Sequence, residues 1–212
     1  SFSRIAIAPE AGSAAMHGSY ADDAQSIAEG VAAQLEAILL RTGKFEVRRP
    51  RSPVDPESPW QTIEWANSQP CDALIQLCIE TSPFRNLGGM RIWVAHEADD
   101  ASARPPDRGE AFGLPQSLNY IPYQDLSLLL GALIHGQLAN SSRYKARPVE
   151  FAPSFLMRRL SMPSVTLSLG YITTEKERER MMQDAFLEGA AQAIAKALVE
   201  MRNRSQEMAY AR

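Results

Sequence analysis

Met162-Pro163-Ser164-Val165-Thr166-Leu167-Ser168-Leu169-Gly170-Tyr171-Ile172-Thr173-Thr174 is the stretch on which the fold turns. Its proline-led apolar run, Pro163 to Leu169, predicts a strand buried within a sheet. The segment behind it has helical periodicity: Met182, Phe186, Ala190, Ile194, Leu198 and Met201 fall on one stripe,. A C-terminal helix is expected from about residue 174 to about residue 203, with Glu175-Lys176-Glu177-Arg178-Glu179-Arg180 as a solvated first turn and a half,.

Upstream, strands and helices alternate. Asp72-Ala73-Leu74-Ile75-Gln76-Leu77-Cys78-Ile79 is apolar without clean alternation and predicts a strand covered on both faces,. Met90 to Ala95 is a further strand candidate behind Gly88-Gly89. Arg4 to Ala8 is β-prone and empties into Pro9-Glu10-Ala11-Gly12-Ser13, a tight loop of the kind that borders ligand pockets in open α/β sheets,. Ile27, Val31, Leu35, Ile38 and Leu39 predict a helix, with Asp22 and Asp23 near its positive end and Gly43 just past its last turn,. Phe45 to Arg49 reads as a strand, Pro50 to Pro59 as a loop, Trp60 to Asn67 as a short helix, and Leu126, Leu129, Leu130, Leu133 and Leu138 as another helix,. Ala95 to Gln124 is an irregular stretch longer than ordinary connections,. Alternation of this kind predicts an α/β layered fold.

Composition narrows the function. At 212 residues, 45% hydrophobic and 22% charged, the chain can bury one sizeable core,. A net charge of −3 without clustered lysine and arginine excludes nucleic acid as a partner,. No run of about 18 apolar residues occurs, so no transmembrane segment is expected and the chain should be soluble. Ser1 to Ala8 has no basic stretch followed by an apolar one, so no targeting signal is read from it,. Cys71 and Cys78 are separated along an extended run and cannot bridge each other,. The histidines, His17, His96 and His135, show no metal-binding spacing; His96 and His135 are expected to be structural or exposed,.

Taken in order, these segments resemble the zinc-dependent N-acetylmuramoyl-L-alanine amidases that cleave muramic acid from the peptide stem of peptidoglycan. Ile5 to Ser13 is similar to the family's opening strand and Asp-Pro-Gly-His-Gly-Gly loop, with Pro9 and Gly12 kept. Ala66-Asn67, Asp72 and the following strand resemble the Ala-Asn helix end and the strand leading into Ser-Ile-His-Ala-Asn. Gly89 to Val94 resembles the next strand, and Met162 to Thr174 the family's Met-Pro-Ala-Val-Leu-Val-Glu-Leu-Gly-Phe-Ile-Thr-Asn. The resemblance covers nearly the whole chain. It implies one amidase-like domain over 1–212, with an open, mostly parallel or mixed sheet flanked by helices on both faces, in a periplasmic or extracellular setting.

Carried over by position, the resemblance places the family's chemistry on residues that cannot perform it. The first metal histidine falls on Ala11 and the third ligand, also histidine, on Cys78. The second ligand, a glutamate, falls on Ala24 by helix register, or on Ala21 if Gly18-Ser19-Tyr20 is anchored to the loop before it. The glutamate that polarises the attacking water falls on Ser168. A catalytic zinc needs about three protein ligands and an open position for water. Alanine offers no lone pair, and a serine hydroxyl has no pKa near neutrality without a base beside it. No zinc is therefore expected.

Residues expected around the retained pocket are Glu10, Asp23, Cys78, Glu80, Ser168 and Tyr171. Cys78 reads as a small hydrophobe-like thiol filling the space of an imidazole. Glu80 shares a strand face with it, as polar pocket floor or as a solvated strand end. Two routes back to chemistry are weighed: a rewired metal site from Glu10, Asp22, Asp23, Cys78, Glu80 and His17, and a Ser168 nucleophile with His17 as base. The leading expectation is a catalytically silent amidase-like module that binds a peptidoglycan fragment or a cell-envelope protein; the alternative is an active amidase with a rewired metal site. Tyr120, Ile121 and Tyr123 are candidate anchors for a protein partner, or else pack on the domain's own core,.

Overall fold

A computed structural model describes residues 2–10, 12, 18–50, 59–84, 87–95, 118–141 and 144–210. Ala11, His17, His96, positions 51–58 of the proline-rich loop and 96–117 of the long loop lie outside these residues. In chain order the elements are β1 (Arg4–Pro9), α1 (Gly18–Arg41), β2 (Glu46–Arg48), α2 (Pro59–Ser68), β3 (Ala73–Glu80), β4 (Arg91–Ala95), α3 (Gln124–Ala139), β5 (Glu150–Ala152), β6 (Ser164–Tyr171), α4 (Glu175–Met181) and α5 (Asp184–Tyr210). They build a mixed α/β fold around a six-stranded sheet of order β2-β1-β3-β6-β4-β5. β2, β1, β3 and β6 run parallel, and β4 joins β6 antiparallel with β5 parallel to β4.

The two faces of the sheet differ in chemistry. Ile5, Ile7, Ile75, Leu77, Ile79, Ile92, Val94, Val165, Leu167 and Leu169 point to one face, where they pack with α1, α3 and α5. Ala6, Ala8 and Leu74 point to the other, under α2 residues Ile63 and Ala66 and the single turn Met157–Arg159. This second layer covers only part of its face, because β3 and β6 turn polar there toward their C-terminal ends.

Short-range bonds fix the strand entries. The Ser3 and Arg4 backbone N–H groups donate to the Asp72 carboxylate at 2.8 Å each, and Arg4 pairs with it at 3.3 Å. Burial pushes this carboxyl up, yet those donors outweigh burial and hold it below its ordinary range,. Asn67, at the end of α2, donates to the Arg159 carbonyl and accepts from the Ser161 N–H, clamping the chain that feeds β6.

Several expectations are corrected. The C-terminal helix is two helices, interrupted at Met182 and Gln183. α4 is pinned to strand ends: Glu177 accepts the Gly89 N–H at 2.7 Å and the Tyr171 N–H at 3.0 Å, and Met181 is fully buried. α5 packs instead on α1 and α3, so the chain redirects, and the Gln183 carbonyl accepts the Phe186 and Leu187 N–H groups to start the new helix. Met182, expected on the buried stripe, is 55% exposed. Glu177, expected in a solvated segment, accepts two backbone N–H groups and pairs with Arg180. β5 was not anticipated: three residues at a sheet edge, with Phe151 exposed, carry no periodic signal.

Candidate functional site

Strand register assembles the site row by row on the polar face. Cys78 of β3 and Ser168 of β6 are Cα partners, and Arg91 of β4 partners Ser168 from the other side. The neighbouring row runs Gln76, Thr166, Trp93, Glu150 across β3, β6, β4 and β5. Gln76, Cys78 and Glu80 are thus an alternating polar stripe in what reads as an unbroken apolar run, matched by Ser164, Thr166 and Ser168,.

A bulge adds Tyr171. Between the pairs Cys78↔Ser168 and Glu80↔Tyr171, β6 carries one residue more than β3, which returns Tyr171 to the same face as Ser168. Gly170 takes φ 147° there, and a Cβ at this position would meet Glu177 Oε2 and Met181 Sδ at 2.9 Å.

Arg91 organises the far side of the site. Its guanidinium donates to Glu150 at 2.5 Å and to the Tyr171 hydroxyl at 3.4 Å, lies 3.7 Å from Glu80, and stacks 4.7 Å from the centre of the Trp93 ring. The bond from Arg91 lowers the Glu150 carboxyl, whereas burial raises Glu80 in spite of the arginine. Burial also raises the Tyr171 phenol.

The near side is built by the loop after β1. The Glu10 N–H donates to the Leu77 carbonyl at 2.9 Å, and Gly12 takes φ 60° so closely against β3 that a Cβ would lie 2.2 Å from the Ile79 carbonyl oxygen. Glu10 opens toward the cavity while protein crowds its remaining sides; burial lifts its carboxyl to about 7, opposed by a hydrogen bond from Gln76,. Thr166 donates to Gln76 Oε1 at 2.5 Å, which leaves the Gln76 amide to donate to Glu10,. A chain of bonds therefore links Glu10, Gln76 and Thr166 beneath the cavity. Burial, reinforced by Glu10 and Glu80, holds the Cys78 thiol well above its ordinary range.

Above this floor lies a cavity of about 460 Å³ lined by Glu10, Gln76, Cys78, Glu80, Trp93 and Met157, among others. Of the residues expected around the pocket, Glu10, Cys78 and Glu80 line it, and Ser168 and Tyr171 stand on the same face. Asp23 is half-buried on α1 and is not among the lining residues. Ala24 is fully buried in the main core on the opposite face, and Ala21 is half-buried. Tyr120 is buried in the smaller core, so it is not a surface anchor; Ile121 is exposed, and Tyr123 is half-buried with its carbonyl bound by Ser127. His135 is half-buried in α3, away from the site. Arg91, Gln76, Trp93, Thr166 and Glu150 were not singled out; the period-two polar stripe was the available signal for Gln76 and Thr166.

The sequence model of N-acetylmuramoyl-L-alanine amidases matches residues 10–200. The chain belongs to the N-acetylmuramoyl-L-alanine amidase family. Among solved structures, the catalytic domain of CwlV, an N-acetylmuramoyl-L-alanine amidase from Bacillus (Paenibacillus) polymyxa var. colistinus, superposes with a TM-score of 0.72 at 19% identity, covering 95% of this chain and 98% of that one. An N-acetylmuramoyl-L-alanine amidase from Clostridium difficile 630 gives 0.72 at 15% identity, covering 96% and 98%. The CwlD amidase from Clostridioides difficile, solved in complex with the GerS lipoprotein, gives 0.65 at 13%, covering 95% and 98%. No curated protein sequence matches the chain.

Within this amidase fold, the donor set at the described family positions can be set against the zinc that the family implies. Cys78 offers one sulfur ligand where a catalytic zinc needs about three protein ligands,. Ser168 offers a buried hydroxyl without a hydrogen-bond partner, and Ala24 faces the main core, away from this row. Arg91 brings a fixed positive charge into the same row. Among the described residues no three or more histidine, cysteine, aspartate or glutamate side chains are grouped to hold a metal ion. At the described family positions, Cys78 and Ser168 fall short of the donor set of a catalytic zinc.

Proposed function

We propose that this chain is a catalytically silent amidase-fold module of the bacterial cell envelope, periplasmic or extracellular, that binds a peptidoglycan fragment or an envelope protein without cutting it. One observation carries the reading: the row Cys78, Ser168, Arg91 stands where the family resemblance puts ligand and base. One thiol, a hydroxyl and a guanidinium engaged by Glu150 fall short of the three ligands of a catalytic zinc and include no base for its water. The cavity over them survives, with a polar floor and the Trp93 and Met157 walls that binding sites use,. Protein partners also suit the fold, as CwlD was solved with the GerS lipoprotein. No described helix is long and apolar enough to cross a membrane.

The competing reading, an amidase with a rewired centre, draws on Glu10, whose carboxyl at about 7 suits a general base,. Both are tested with purified sacculi, with and without added zinc, by measuring sedimented protein and released stem peptide. The silent module sediments with sacculi, or with an envelope protein instead, and releases no peptide above the blank. Release that scales with protein concentration overturns it in favour of the hydrolase.

A further inference from the structure

We propose that the single turn Met157–Arg159, together with Trp60 and Phe155, is a docking site for an acidic segment of a partner protein. Arg158 takes a carboxylate of that segment, and the Trp60 and Phe155 rings take a neighbouring apolar side chain. None of Trp60, Phe155, Arg158 and Arg159 lines the cavity over Cys78. The inference therefore goes beyond the binding role proposed for that cavity, and either stands without the other.

Arg158 carries an unmet charge. It is 8% exposed, its Nε and Nη2 are buried without a hydrogen-bond partner, and it forms no ion pair among the described residues. A guanidinium stays charged at any working pH, and taking one out of water without a counter-charge is costly. Its third nitrogen, Nη1, also bonds to nothing among the described residues and is the one that reaches solvent, so an anion can approach the fork from outside.

Arg159 extends the positive charge onto an aromatic surface. Its guanidinium lies 3.7 Å from the centre of the Phe155 ring and 5.3 Å from that of Trp60, and the two rings meet edge to face at 5.0 Å. Its Nη1 donates to the Phe155 carbonyl at 3.0 Å, while Nε is buried and unpartnered. Burial and then the Arg158 charge lower Arg159 below its ordinary range, and no described acid opposes them,. Trp60 and Phe155 are 45% and 42% exposed. Asn67 and Asn119 both donate to the Arg159 carbonyl, at 2.8 Å and 3.4 Å, so the backbone carrying the two arginines is fixed before a partner arrives.

Charge and shape choose the occupant. Guanidinium groups without an acid are complementary to carboxylates, which arginine can take bidentately. Exposed aromatic rings beside arginine are the anchors that protein interfaces use. Nucleic acids and anionic membranes call for basic clusters spread over a face, whereas the chain has a net charge of −3 and the site holds two arginines.

The test titrates the full chain with three end-blocked pentapeptides, Glu-Glu-Phe-Glu-Glu, Gln-Gln-Phe-Gln-Gln and Lys-Lys-Phe-Lys-Lys, following the Trp60 indole and the arginine Nε–H signals by NMR. The acidic peptide is expected to give saturable shifts at Trp60, Arg158 and Arg159. Arg158→Gln should weaken it at least tenfold, and Arg158→Lys should weaken it too, since the charge stays and the fork is lost. Equal response to the glutamine peptide, preference for the lysine peptide, or unchanged affinity in Arg158→Gln overturns the proposal. Shifts confined to the Gln76 to Glu80 amides, which assign the peptide to the cavity, also overturn it. So does tighter binding of inorganic phosphate or of phosphatidylglycerol vesicles at the same signals. If Arg158→Gln does not fold, Arg159→Gln with Trp60→Ala, both at positions that reach solvent, carries the same tenfold expectation.

Discussion

Cys78 and Ser168 are direct neighbours across β3 and β6, and neither is ionised: the thiol is held protonated by burial, and the hydroxyl is buried without a hydrogen-bond partner. The family resemblance places this pair at the centre of the site. The protonation of the thiol can be read by thiol chemistry. Since the thiolate is the reactive form, Cys78 should resist alkylation at pH 7 in the native state and react at an ordinary rate in denaturant. Cys71, half-buried and also raised by its burial, should label before it. Rapid native labelling of Cys78 at pH 7, located by peptide mass, contradicts this picture.

Glu10 should make stability depend on pH in an unusual direction. Its carboxyl ionises at 4.5 in the unfolded chain and at about 7 in the fold, so between these values the folded state holds the extra proton. Its contribution is complete below pH 4.5, falls as pH rises toward 7, and is level above that. At roughly 1.4 kcal/mol per pH unit the loss amounts to roughly 3 kcal/mol. Urea denaturation across this range measures it. Glu10→Gln should flatten the decline, and a variant with the same slope as the original chain assigns the effect elsewhere.

Arg91 is expected to hold the far side of the site together. Arg91→Met removes the bond to Glu150 and leaves Glu80, 18% exposed at its side chain, without its counter-charge. Because both partners reach some solvent, the expected loss is about 1–2 kcal/mol rather than the larger cost of a fully buried break. Adding Glu80→Gln to Arg91→Met should recover part of it, a coupling that a double-mutant cycle in denaturant reads directly. Additive losses would mean that the two residues act independently.

How much of this was legible in sequence depends on how local the cause is. β1, β3, β4, β6, α1, α2 and α3 follow from apolar runs and helical stripes in their own residues. That Cys78 and Ser168 border one pocket followed from family resemblance, and strand register supplied their pairing. Arg91 was not legible as a site residue, since an arginine in a strand reads as a solvated position until β4 is placed antiparallel beside β6. Glu177 was hidden in the same way: its charge run is a surface signal, and only the approach of Gly89 and Tyr171 makes it an acceptor. Ala24 shows the converse, since helix register alone could not tell that its face looks into the main core.

Gly12 is the tightest point of the loop that carries Glu10. Gly12→Ala forces a left-handed φ on an L-residue, about 1–2 kcal/mol, and drives a Cβ against the Ile79 carbonyl oxygen, 2.2 Å away. Thermal unfolding should move down by several degrees, and the Glu10 pH dependence should shrink as the loop lifts from β3. An unchanged melting temperature together with an unchanged pH profile would place the loop elsewhere.

The most direct measurement of the central claim is the zinc content of the purified chain after equilibration with zinc and desalting, by elemental mass spectrometry. With Cys78 and Ser168 at the proposed ligand and base positions, the chain is expected to retain far less than stoichiometric metal. One zinc retained per chain, lost on chelation together with peptide release from sacculi, contradicts the account.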